Sequence, residues 1–189
     1  MDLDGLNNAG KSLEDAFFAK ENARLLEQLR ARAKREERRK ALRDVIQIKD
    51  EGLVDHLLDL GLGPETVLAV TLIPLAMVAW ADGSIEPKER EAILRAAAEK
   101  GIVPDSIAGQ VLNSWLTEPL DAELVSTWRR YIQTIWPSLT PHERAEVREM
   151  GVERARTVAQ AAGGFLGLGS RISAQEKAVI DDIATLFAG

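Results

Sequence analysis

The 189-residue chain has no cysteine, only two histidines and a single tyrosine. Without cysteine there can be no disulfide framework and no thiolate metal site, and two histidines make a poor basis for a zinc site. A cysteine-free composition suits a reducing interior. The first residues, MDLDGLNNAGKSLEDAFF, lack the basic segment and long apolar core of an export signal, so the expected location is cytoplasmic. Long hydrophobic runs are also missing. The most apolar stretch, Thr66 to Ala81, is shorter than the roughly 18–20 residues of a membrane span and is interrupted by Pro74, so no transmembrane segment is expected. No stretch alternates apolar and polar residues as a strand would. The expected fold class is therefore all-α.

What is present falls into two parts, with an expected boundary between 1–48 and 49–189. From Ser12 to about Ile48 there is neither glycine nor proline, so nothing obliges a helix to stop. Ser12 suits an N-cap, and Glu14 and Asp15 follow where the helix dipole favours negative charge. Leu13, Phe17, Phe18, Leu25, Leu26 and Leu29 form an apolar stripe over the first half of this arm. The second half, Arg30 to Arg43, sets eight Lys/Arg against two Glu, a local net of +6. The chain as a whole is at −6, so the remainder carries −12.

From Asp50 onward, breakers recur at regular intervals. Helices are predicted at about 50–60, 64–81, 87–100, 104–116, 120–136, 140–162 and 173–187, seven after the arm. The stretch Gly163 to Gly169 is rich in glycine, but no strand precedes it and no Lys-Ser/Thr pair follows it. It reads as a turn that folds Phe165, Leu166 and Leu168 inward, not as a phosphate cradle. Trp80, Trp115, Trp128 and Trp136 stand among aliphatic residues and read as core or groove lining. His56 and His142 read as surface positions on their helices.

One turn carries chemistry. In Asp82-Gly83-Ser84-Ile85-Glu86-Pro87-Lys88-Glu89, the residues Asp82, Gly83, Ile85, Glu86 and Glu89 fall at positions five, six, eight, nine and twelve of a calcium loop. Positions one and three would be Val78 and Trp80, which offer no side-chain oxygen. The same residues also read as a helix start, with Gly83 ending one helix, Glu86 as N-cap, Pro87 at the first position and Glu89 closing a capping box. That grammar recurs at Thr140-Pro141-His142-Glu143 and Ser173-Ala174-Gln175-Glu176. Both readings stand: a cap, or a dense group of hard oxygen donors open to a divalent cation. An internal repeat joins two of these turns, since Ile85, Glu89 and Ile93 match Ile172, Glu176 and Ile180 without gaps. In the second copy Gly169 stands in place of Asp82, so that copy is expected to bind metal less well.

At these residues, in AWADGSIEPKEREAIL and GSRISAQEKAVI, the chain resembles the TerB-like (tellurite-resistance) family over about residues 50–189. The resemblance implies an internally repeated helical bundle, a stress-response or metal-resistance setting, and acidic metal ligands. Carried over by position, these are Asp82, Glu86 and Glu89, with Glu176 in the second motif. The arm, in SLEDAFFAKENARLLEQLRARAKREERRK, is faintly similar to bacterial relatives of the mitochondrial-type ATPase inhibitor, which implies a charged helix that docks on a partner.

The expected function is that of a non-enzymatic binding or adaptor protein, with a divalent cation as the one cofactor it admits. The expected partner is a protein or a second copy, held through Phe17, Phe18, Leu25, Leu29 and Arg30–Arg43. The alternative is a regulatory protein whose basic helix docks on or inhibits its target; a metal-dependent hydrolase ranks third. Nucleic acid is disfavoured, because a remainder at −12 repels phosphates.

Overall fold

A computed structural model describes residues 3–46, 49–162 and 172–187, with side chains for 18, 20–46, 49–161 and 172–187. Every regular element among them is helical. The glycine-rich stretch Gly163–Gly169, with Phe165, Leu166 and Leu168, lies outside the described residues, as does the side chain of Phe17.

The chain divides into two units, Met1–Ala41 and Leu42–Gly189. The first belongs to α1 (Leu3–Ile46), which starts well before the expected N-cap at Ser12. Gly5 and Gly10 each cost a helix about 1 kcal/mol relative to alanine, which weakens the helix without stopping it. Taken by itself, this unit displays Phe18, Leu25, Leu26 and Leu29 to solvent. Short-range ion pairs line it, such as Arg24–Glu21 at 2.5 Å and Arg39–Glu36 at 3.2 Å, both one turn apart. Exposed pairs of this kind are worth only tenths of a kcal/mol.

The second unit begins at Leu42 rather than after residue 48, because Leu42 is fully buried in the core and takes the last turn of α1 with it. It continues through α2 (Glu51–Asp59), α3 (Val67–Val70), α4 (Ile73–Ala79), α5 (Pro87–Glu99) and α6 (Ile107–Trp115). Then come α7 (Ala122–Ile135), α8 (Pro141–Arg148), α9 (Arg154–Ala162) and α10 (Ala174–Thr185). Among the described residues, nine α-helices thus follow α1 where seven were expected.

Two expected helices are split. The stretch 64–81 becomes α3 and α4, joined by a turn at Thr71-Leu72. Pro74 sits in the first turn of α4; it has no N–H to donate, and its ring would clash with the turn before it, so the helix restarts there. The stretch 140–162 becomes α8 and α9, with a π-helical turn at Glu149–Glu153 between them. That wider turn carries Gly151 under Phe187, where an added Cβ would lie 2.9 Å from the ring.

α4 is the centre of the unit. Ile73, Pro74, Leu75, Ala76, Val78 and Ala79 are all buried, as a helix with no polar face requires. α9 packs on α4 and α5, and α10 packs on α4. α7 shows the other pattern, with Leu124, Thr127, Trp128 and Ile132 buried at three-to-four spacing and charged residues outside. Trp128 and Trp136 are buried, as expected for core aromatics, and the indole N–H of the half-buried Trp80 donates to the Trp115 carbonyl at 2.8 Å.

Candidate functional site

The turn between α4 and α5 is set by backbone chemistry. Gly83 takes φ +97°, a conformation costly for residues with a Cβ, and Asp82 Oδ1 accepts the Ser84 N–H at 3.2 Å. Glu86 is the N-cap of α5 with Pro87 behind it. The Glu86 N–H donates to Glu89 Oε2 at 2.8 Å, the back-reaching half of a capping box. The start of α10 repeats the arrangement: the Ser173 N–H donates to Glu176 Oε2 at 2.5 Å, and the Glu176 N–H donates to Ser173 Oγ at 3.1 Å. The start of α8 repeats it again through Thr140 and Glu143.

Folding brings the two halves of the internal repeat together. Ile85 and Ile172 are half-buried against the core, Ile93 and Ile180 are fully inside, and Glu89 and Glu176 are buried between those layers. Glu89 is only 3% exposed and Glu176 6%, and the two carboxyl groups lie within hydrogen-bonding reach of each other. Burial raises the Glu89 pKa to about 7, and the hydrogen bond and negative charge of Glu176 push in the same direction; Asp82 adds a smaller like-charge contribution. Near neutral pH, then, Glu89 exchanges its proton with solvent.

Glu143 shows the same capping geometry without the burial. It is exposed, and its pKa is lowered by hydrogen bonds from Thr140. Identical local chemistry therefore gives opposite outcomes, decided by where the helix start lies in the bundle.

Of the four residues singled out as ligands, the structure unites Glu89 and Glu176. Asp82 and Glu86 remain exposed on the turn beside them. Among the described residues, no three Asp, Glu, His or Cys side chains are grouped closely enough to hold a metal ion. The donor type suits a hard cation, but each glutamate already gives one oxygen to a backbone N–H, and two buried carboxylates fall short of a full oxygen shell.

The surroundings of the corner are structural. Arg90, next to Glu89, donates to the Leu116 carbonyl and to Asn113 Oδ1, both at 2.7 Å, and so closes the C-terminus of α6 with a cation. Two cavities open elsewhere on this unit, along α7 and α8, and neither is lined by Asp82, Glu86, Glu89 or Glu176. The histidines lie outside: His56 Nε2 is 3.3 Å from Glu123 and His142 Nε2 is 3.6 Å from Glu146. Among the described residues, no helix is long and apolar enough to cross a membrane. No protein-family model, curated protein or solved structure matches the chain.

Proposed function

We propose that this protein is a non-catalytic binding or adaptor module of the TerB-like kind, acting in a stress or metal-resistance setting, with the Glu89–Glu176 pair as its cation-responsive element. The observation that carries this reading is the meeting of the two repeat glutamates, 87 residues apart in sequence, as a buried pair of like charges. Each glutamate caps its own helix start, but two opposed buried carboxylates repel each other unless a cation neutralises them, and the proton is the smallest that can. Any divalent ion held by Glu89 and Glu176 must displace the Glu89 proton, so its affinity rises with pH.

A non-catalytic role is supported by the separation of the acidic corner from both cavities and by the outward position of both histidines. Thermal melts of the full chain in Ca²⁺, Mg²⁺, Mn²⁺ and Zn²⁺, at about pH 6 and pH 8, test the reading. One of these ions is expected to stabilise the protein more strongly at the higher pH, and Glu89→Gln and Glu176→Gln are each expected to abolish that effect. If no ion shifts the melt at either pH, the divalent part of the reading fails and the pair binds protons alone.

A second reading, a regulatory helix that docks on a partner, draws on the first unit. Its residues Leu25, Leu26 and Leu29 are exposed at the start of a segment of charge +6. An acidic target would bind it with an affinity that falls as salt rises.

A further inference from the structure

A cavity of about 200 Å³ opens between α3, α4, α7 and α8, well away from the acidic corner. Its wall is apolar and partly aromatic, formed chiefly by Val70, Pro74, Trp128, Tyr131, Val147 and Phe187. Two charged residues, Lys100 and Glu146, complete it.

Lys100 is the unusual member. It caps the C-terminus of α5 and is fixed there by the turn that follows. Gly101 takes φ +76°, its N–H bonds to the Ala98 carbonyl at 2.9 Å, and the Ile102 N–H reaches back to Ala97 at 3.0 Å. This double closure fixes the Lys100 backbone at the end of α5, with buried Ile102 as its anchor. Among the described residues, the ammonium makes no hydrogen bond or ion pair; only the fields of Arg154 and Glu146 act on it. Of its neighbours, Arg154 pairs with Glu99, and Glu146 is the carboxylate whose field reaches the ammonium. The Tyr131 hydroxyl likewise has no hydrogen-bond partner among the described residues. Desolvation lowers the Lys100 pKa and raises that of Tyr131, as expected of polar groups at a water-poor wall.

A pocket with an apolar body and a few polar groups lacking partners is the usual form of a small-molecule site. The volume sets the size of the occupant. An apolar cavity of about 150 Å³ takes a benzene ring, so this one takes a phenyl ring with a few added carbons, or a chain of roughly six to eight. The charges set its head group. The Lys100 ammonium suits a single negative charge, whereas Glu146 at the same wall opposes a doubly charged phosphate.

We infer that this cavity binds a small amphiphilic monocarboxylate, its hydrocarbon body against Trp128, Val147 and Phe187 and its carboxylate on Lys100.

Titration calorimetry of the full chain with octanoate and 3-phenylpropanoate, each beside its uncharged primary amide, tests the assignment. Trp128 fluorescence gives a second readout. The acids are expected to bind more tightly than the amides. Lys100→Met is expected to weaken the acids about tenfold or more, the value of one charge-assisted bond, while leaving the amides within about twofold. Val147→Phe is expected to exclude both classes while its melt shows a folded protein; Val147→Met serves if the larger ring prevents folding. The proposal is overturned if no acid binds at millimolar concentration, if acid and amide bind equally, if Lys100→Met binds the acids like wild type, or if filling the cavity leaves binding unchanged.

Discussion

Replacing Glu89 by glutamine should stabilise this protein in alkali and do almost nothing in acid. The carbonyl oxygen of a glutamine there can still accept the Glu86 N–H that Glu89 Oε2 accepts at 2.8 Å, and its amide can still donate toward Glu176. What disappears is the second negative charge. In wild type the folded pKa of Glu89 lies near 7, against 4.5 for an ordinary glutamate. Between those two values the folded protein holds a proton that the unfolded chain has released. Its stabilising effect is therefore complete below about pH 4.5 and is lost as pH rises through about 7. Each tenfold change in proton affinity is worth about 1.4 kcal/mol, so the full loss is of the order of 3 kcal/mol. Glu89→Gln cannot ionise and escapes it. Near pH 4 the two proteins should melt together; near pH 8.5 the variant should melt higher by roughly 6–12 °C, at about 2–4 °C per kcal/mol for a chain of this size. Melts across that range, in EDTA to remove adventitious cations, give the difference directly and cancel the titration of all other groups. A constant offset between the two proteins across the whole range would refute the reasoning, as would a variant that is less stable at every pH.

The other predictions concern packing. Leu42→Ala should lower stability by about 2–5 kcal/mol in urea unfolding, because Leu42 is fully buried; a loss under about 1 kcal/mol would detach the last turn of α1 from the core. Thr127→Val should stabilise by about 1 kcal/mol, since the Thr127 hydroxyl is buried without a hydrogen-bond partner; destabilisation would reveal a partner. Gly109→Ala should destabilise by about 2–3 kcal/mol although helix propensity alone favours alanine by about 1, because its Cβ would lie 2.2 Å from the Val103 carbonyl oxygen. A thermal melt equal to wild type would show that the loop before α6 gives way.

Helix ends were largely legible in the sequence, because their chemistry is local. The starts at Glu86, Thr140 and Ser173 each carry the residue three positions later that completes the box, and the stop at Gly101 needs only a residue tolerant of positive φ. Where the outcome depends on packing, the pattern was silent. The apolar run through Pro74 reads equally well as one helix or two, and nothing in Glu149–Glu153 announces a wider turn, which is tied to the seat of Phe187 over Gly151. The corner follows the same rule. The repeat marked Glu89 and Glu176 as equivalent, but only the fold shows that they oppose each other while Asp82 and Glu86 stay outside. Lys100 and Tyr131 went unnoticed: a lysine before a helix-ending glycine is commonplace, and the cavity beside it draws its wall from residues spread between Val70 and Phe187.

The facing glutamates also tie together the histories of two distant helix starts. Changing either one to glutamine removes their mutual repulsion, while burial still opposes ionisation of the one that remains, so their effects should be partly non-additive. Once one copy has drifted to an amide, its counterpart is released from part of its constraint. The two motifs are thus expected to evolve as a linked pair, with each position tolerating only what the other permits.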